Sequence, residues 1–382
     1  MLDHTNHFEA RNSSCSRRRF GALCGGLLGT LLTSGVHDSL SAQERPVAYA
    51  MLGRSPTPRH IKSIEILLDP LDKESSPPVV TALAASPEGR FIAAAGDDHG
   101  IRIVDLTNGK TIRMINEHTD WIRSLVFAKK GRQLYSAGDD GLVMCFEQGV
   151  PVSGRPILDV GFAIRTLALS PEKSLLAIAG FSQQIVLWDL EKNEELRRLQ
   201  CESRDQRCVR FSVDGNYILC GGRQGELHVW DVDSGRELAG FQEHRGRIHN
   251  AVFSPDGTLV TSVGEDRQLI QYDIASQRAI LKREIANATL MSMCLVNENL
   301  VAAAGADNSV HLYDALSDDV VAHLRGHFGT VSVMTPCGGY LASGSFDTTV
   351  RIWDLESIDT KQIQYAKPVH APIKVDRKLH YK

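Results

Sequence analysis

The sequence predicts an all-β fold: a closed ring of seven four-stranded antiparallel blades. Three observations carry that prediction. Seven strand-like runs end in an acidic or aromatic-acidic pair, at Val104-Asp105, Phe146-Glu147, Trp188-Asp189, Trp230-Asp231, Tyr272-Asp273, Tyr313-Asp314 and Trp353-Asp354. Their successive intervals are 42, 42, 42, 42, 41 and 40 residues, a period that suits one propeller blade. Turn signals recur at a fixed phase within that period, so each repeat presents the same strands in the same order.

Each repeat reads as an apolar strand, a turn, a second strand, a tight polar turn, a third strand ending in the acidic pair, and an outer strand. The first turn is clearest at Ser86-Pro87-Glu88-Gly89, Ser170-Pro171-Glu172-Lys173 and Ser254-Pro255-Asp256-Gly257. Proline there pre-sets φ and glycine tolerates positive φ. The second turn carries Gly96-Asp97-Asp98, Gly138-Asp139-Asp140, Gly264-Glu265-Asp266 and Ser345-Phe346-Asp347. Outer strands follow the acidic pairs, as at residues 111–115 and 195–199. Upstream, residues 61–68 form an extra apolar strand. It is expected to complete the blade that ends at Asp354, because joining both ends of the chain in one blade closes the ring. The rival for that place is residues 361–365.

At these residues the chain resembles the WD-repeat β-propeller family, over roughly residues 79–355. The last repeat is the clearest, with Gly326-His327, then Leu341 to Asp347, then Val350-Arg351-Ile352-Trp353-Asp354. The resemblance implies a buried hydrogen-bonded tetrad, complete here as His327, Ser343, Asp347 and Trp353. The physics is sound, since a buried carboxylate is costly unless it accepts several bonds, and His, Ser and indole N–H can supply or relay them. The fifth repeat offers His244, Ser262 and Asp266 with Tyr272, and the second His118, Ser136 and Asp140 with Phe146. The other four repeats lack the histidine. Recurrence at the repeat period marks these Ser, His and Asp residues as structural rather than as a catalytic triad.

The same resemblance places three positions per repeat on the narrow face of the ring. One of them reads Thr81, Arg123, Arg165, Arg207, His249, Met291 and Ser332 along the chain, so three arginines recur at 42-residue spacing. Trp121, Phe181, Arg223, Arg247 and Phe346 are assigned to the same face. Arginines and aromatics are enriched at interface hot spots, and a guanidinium binds carboxylate or phosphate through two bonds at once. An anionic protein segment is the expected ligand of this arc. The opposing reading pairs the arginines with Asp97, Asp139, Asp205 and Glu265 on that face.

Composition bounds the remaining classes. The chain has 382 residues and a formal net charge of −4, which gives no global case for nucleic acid or an anionic membrane. No nucleic-acid partner is expected. No CxxC or CxxCH spacing, P-loop, G-x-S-x-G elbow or H-E-x-x-H pair occurs, so no metal, cofactor or catalytic residue is predicted. A Cys201–Cys208 disulfide is conceivable, although both residues read more naturally as free thiols.

The first 42 residues differ in kind. Ser16-Arg17-Arg18-Arg19-Phe20 precedes a Gly- and Leu-rich run from Gly21 to Val36 and then small residues. This n-region, h-region and cleavage zone resembles a bacterial twin-arginine export signal carried by Arg17, Arg18 and Phe20. The resulting division is a signal peptide at 1–42, a linker at 43–60, the propeller at 61–366 and a basic tail at 367–382. An exported, periplasmic or extracytoplasmic protein follows, with a membrane anchor as the alternative if the segment is not cleaved.

Two functions compete. The first is a non-catalytic scaffold outside the cytoplasm that binds one or more protein partners. The second is a periplasmic quinoprotein-like propeller enzyme, because Asp105-Leu106-Thr107-Asn108-Gly109-Lys110 is faintly similar to the blade motif of pyrroloquinoline-quinone dehydrogenases. Those enzymes need a docking tryptophan in each blade, whereas this chain has four tryptophans in all.

Overall fold

The computed structural model describes residues 63–147, 154–315 and 317–355. Among these, 28 strands form seven four-stranded antiparallel sheets. Blades 1 to 6 span 80–115, 122–159, 164–200, 206–242, 248–284 and 290–325. Blade 7 joins three strands within 331–354 to the N-terminal strand Ser63–Leu67. Each innermost strand abuts the innermost strands of the blades on either side, and that of blade 7 abuts that of blade 1. The ring is therefore closed.

Ser63–Leu67 pairs antiparallel with Thr349–Asp354, with Ile66 opposite Val350. Its buried Ile66 and the following Leu68, fully buried, pack with Val80, Leu83 and Ile92 of blade 1. The expected N-terminal closure is thus the one observed. The rival segment 361–365 lies outside the described residues, as do the export signal, the linker and the basic tail.

The burial gradient across a blade follows from stacking. Second strands are enclosed by sheets on both faces, so Leu175–Gly180 and Leu300–Gly305 are buried at every position. Alanines crowd there, as Ala93-Ala94-Ala95 and Ala302-Ala303-Ala304, because blades converge toward the axis and leave little width. Outer strands such as Glu194–Gln200 alternate or expose most side chains. Seven apolar clusters result, each filling one interface between neighbouring blades. Polar stitches cross the inner seams. Thr81 Oγ1 donates to Ile122 O at 2.7 Å, Ser332 Oγ to Val80 O at 2.7 Å, and Asn250 Nδ2 to Met293 O at 3.1 Å.

One irregularity recurs in all seven blades. The first and second strands slip register by one residue at Val80/Ala82, Ile122/Ser124, Ile164/Thr166, Gln206/Cys208, Ile248/Asn250, Leu290/Ser292 and Val331/Val333. The skipped residues are Thr81, Arg123, Arg165, Arg207, His249, Met291 and Ser332. A β-bulge leaves its extra residue unpaired and re-aims its side chain. Here all seven line the central channel, whose volume is about 640 Å³.

Candidate functional site: the arginine and aromatic rim of the channel

The rim is built by the bulge together with the tight turn that follows the second strand. In that turn one residue donates its amide to the strand entering the bulge: Asp139 N to Trp121 O at 2.9 Å, Phe181 N to Ala163 O at 3.0 Å, Glu265 N to Arg247 O at 2.9 Å and Phe346 N to Thr330 O at 2.9 Å. In three of the four a glycine precedes it, where the backbones approach closely; a Cβ at Gly264 would lie 2.6 Å from that Arg247 oxygen, and blade 7 has Ser345 at this place. Residues far apart in sequence thereby meet side by side.

From blade 2 to blade 5 they form a ladder. Arg123 stacks on Trp121 with 4.4 Å to the ring centroid, and its Nε and Nη2 donate to Asp139 Oδ2 at 2.9 and 2.7 Å. Asp139 also faces Arg165 of the next blade, whose Nη1 lies 3.4 Å from Oδ1. Arg165 and Arg207 both lie over Phe181, at 4.5 and 5.5 Å. Arg207 Nε is 2.6 Å from Asp205 Oδ1, while Asp205 Oδ2 is 3.3 Å from Arg247 Nη2. Arg247 Nη1 donates to Glu265 Oε1 at 2.7 Å, and His249 Nε2 lies 3.8 Å from the same oxygen.

Three of the four acids assigned to this face therefore pair with the arginines. Asp97 does not; its Oδ1 accepts from Val79 N at 2.8 Å. The surface is a mixed ladder rather than a bare cationic arc, and its field is correspondingly weaker. Arg165 is the least satisfied rung. Its one ion pair is the 3.4 Å contact, and its buried Nε has no hydrogen-bond partner among the described residues. Burial and the nearby Arg123 lower its pKa to about 10 against the pull of Asp139. It remains charged at neutral pH. Burial likewise pushes His249 down to about 4, outweighing Glu265, with Arg207 and Arg247 adding to the shift. His249 is neutral and contributes a hydrogen-bonding ring, not a charge.

Exposed apolar surface flanks the ladder. Trp121, Phe181 and Phe346 keep 40%, 43% and 49% of their surface. Arg223 is exposed in a rim groove beside Phe181, Ser203 and Asp205. Phe328, 87% exposed beside His327, was not singled out from sequence. Its amide donates to Asp347 Oδ2 at 2.8 Å, and its place directly after the tetrad histidine is the signal that could have found it.

The tetrad lies beneath this surface. In blade 7, Trp353 Nε1 donates to Ser343 Oγ at 2.8 Å, and Ser343 Oγ lies 2.7 Å from His327 Nε2. The serine oxygen already accepts from the indole, so its hydroxyl proton is best spent on a bare Nε2. That leaves the Nδ1–H of a neutral imidazole to donate to Asp347 Oδ2 at 2.9 Å. Burial pushing the His327 pKa down, partly offset by Asp347, agrees with a neutral ring. Blade 5 repeats the chain, with His244 to Asp266 and Ser262 both at 2.8 Å and Tyr272 3.4 Å from the serine. Blade 2 does so through His118, at 2.7 Å to Asp140 and 2.6 Å to Ser136.

Blades without the histidine use other devices. In blade 1 the fully buried Arg102 grips Asp98, with Nη1 to Oδ1 at 2.7 Å, and its Nε donates to Asp69 O at 2.8 Å, tying down the segment after the closing strand. In blade 6, His311 Nε2 is 2.7 Å from Asp307 Oδ2 and its Nδ1 is 2.9 Å from His323 Nδ1. Cys201 and Cys208 are buried free thiols. Among the described residues, no group of three or more His, Cys, Asp or Glu is arranged to hold a metal ion.

With this geometry in place, the comparisons with known proteins fall into register. The family described as "WD domain, G-beta repeat" matches residues 70–105, 109–147, 193–231, 235–273 and 318–354. The chain is a WD-repeat protein folded as a seven-bladed β-propeller, and blades 3 and 6 are built largely on the stretches between those matches. Among relatives, the target of rapamycin complex subunit wat1 of Schizosaccharomyces pombe is 25% identical over 38% of this chain and 47% of its own length. The nuclear distribution protein PAC1 of Coccidioides posadasii is 28% identical over 28% of the chain and 23% of its own. Transducin-like enhancer protein 2 of Mus musculus is 26% identical over 44% of the chain and 21% of its own. The chain thus spans less than half the length of each.

Proposed function

We infer that this propeller is a non-catalytic scaffold whose rim between blades 2 and 5 docks an acidic segment of a protein partner. The observation that carries the reading is the under-satisfied Arg165, held over Phe181 and between Arg123 and Arg207. A partner carboxylate there gains a guanidinium already desolvated and oriented, which lowers the cost of ordering it. Trp121, Phe181 and Phe346 supply apolar anchors around the charge. The ladder holds four arginines against three acids, so it retains a small positive excess although the chain is acidic. The fold also favours a binding role, since wat1 is by its name a subunit of a larger complex. That remains a property of the relative.

Capture of partners on immobilised protein tests the reading. Proteins retained by the native chain should be lost from an Arg165→Ala, Phe181→Ala double variant and released by moderate salt. Equal recovery on both would overturn the assignment of the rim.

The reading extends to location: the protein works outside the cytoplasm after export in folded form, on the strength of Arg17, Arg18 and Phe20. Arg17→Lys with Arg18→Lys should then hold it inside the cell. Normal export of that variant would exclude the twin-arginine route.

A further inference from the structure

Below the rim, the channel contains one charge that the ladder does not explain. Three positions after the bulge the seven inner strands read Ala84, Val126, Ala168, Arg210, Val252, Cys294 and Thr335. Six are small, apolar or uncharged, and one is an arginine. Three strand residues set Arg210 about 10 Å along the channel from Arg207. Its side chain lines the lumen, enclosed by protein and keeping only channel surface.

Arg210 uses one of its five N–H donors within the protein, Nη1 to Val209 O at 2.8 Å. Among the described residues no carboxylate forms an ion pair with it; the ionisable groups it feels are the buried thiols of Cys208 and Cys294. Burial pushes its pKa down, yet a guanidinium does not lose its proton in a protein. Leu169, Phe211, Phe253, Met293 and Leu295 line the same lumen and give it apolar as well as polar surface. The remaining N–H donors of Arg210 have no protein partner among the described residues and open on the lumen, and an anion is the ligand of matching chemistry.

We propose that the channel of this propeller binds a small monocarboxylate with an apolar body, its carboxylate paired with Arg210 and its body against Phe211, Phe253 and Leu295. The planar fork of a single guanidinium fits a carboxylate. A phosphate dianion would demand further donors, and the other cations lie up at the rim. A lumen of about 640 Å³ is of a size usual for small-molecule sites.

Calorimetric titration of the full chain with hexanoate tests this, with hexanol and hexylamine as probes of the same length. Native protein should bind hexanoate saturably, and neither control. Arg210→Gln should fold with nearly unchanged melting temperature, because the side chain makes one hydrogen bond and no ion pair among the described residues, and should lose at least tenfold in hexanoate affinity. Leu295→Trp, which fills the lumen without touching the charge, should weaken hexanoate equally, while Arg198→Gln on an outer strand should not. The proposal fails if native protein shows no saturable binding, if hexanol binds as well as hexanoate, or if Arg210→Gln binds hexanoate like the native chain.

Discussion

At the scale of single residues, the two tryptophans of blades 3 and 7 separate packing from hydrogen bonding. Trp353 Nε1 is bonded to Ser343, whereas Trp188 Nε1 is buried with no partner among the described residues, because Ile178 stands where blade 7 has its serine. Replacing either by Phe removes similar volume. Trp353→Phe also breaks a bond and leaves the serine oxygen without the donor it accepts from, though still bonded to His327, whereas Trp188→Phe removes an orphan donor. Chemical denaturation should show Trp353→Phe the more destabilising by about 1–2 kcal/mol; equal losses would remove the tetrad's claim to stability. Asp347→Ala should cost more, since His327, Thr349 and Phe328 each donate to that carboxylate at ~1–3 kcal/mol per group left unsatisfied.

Acid titration adds a second check at this scale. Burial opposes the ionisation of Asp347, but the Thr349 hydroxyl, the Phe328 amide and His327 outweigh it and hold its pKa at about 2, against 3.8 ordinarily. His249 titrates at about 4 in the fold, against 6.5 ordinarily. For both, the unfolded chain takes up its proton first as pH falls. Stability is therefore lost between 6.5 and 4 through His249, and between 3.8 and 2 through Asp347. His249→Asn, which cannot ionise, should flatten the urea-midpoint profile over the upper window and leave the lower one intact. An unchanged slope between pH 6.5 and 4 would contradict the burial assigned to this ring.

At the scale of the element, the bulge explains why rim positions could be aligned from sequence without being understood. Spacing alone put Arg123, Arg165 and Arg207 at one site, since a repeat carries every position to its equivalent. It could not show that Asp139 and Asp205 each bridge two blades, because those contacts depend on the register slip and on the turn amide that answers it. Arg210 escaped notice for a related reason: within Cys208-Val209-Arg210-Phe211 it reads as one more basic residue, and only the ring shows that its six counterparts carry no charge. The closing strand was more legible, as a lone apolar run upstream of the first repeat. Leu68, fully buried at the seam of blades 7 and 1, should cost about 2–5 kcal/mol as Leu68→Ala. Ile112→Ala, on the exposed outer strand of blade 1, should cost far less in the same melts.

At the scale of the whole molecule, the ring turns neighbour-to-neighbour stability into a collective property. An open stack of repeats gains only pairwise interfaces and can fray from its ends. Here every blade has two neighbours, and Ser63–Leu67 with Leu68 adds the N-terminal part of the interface between blades 7 and 1. Three of the four tryptophans report from different cores: Trp353 from the closing blade, Trp188 from the core between blades 2 and 3, and Trp230 from the core between blades 3 and 4. In the native protein all should lose their fluorescence signature at one urea concentration, as a cooperative unit requires. Ile66→Pro fixes φ in the strand and strains the pairing opposite Val350. The Trp353 signal, isolated by difference from Trp353→Phe, should then unfold at lower urea than the signal from blades 3 and 4. A single coincident transition in Ile66→Pro would mean that the seven-blade stack holds together without its clasp.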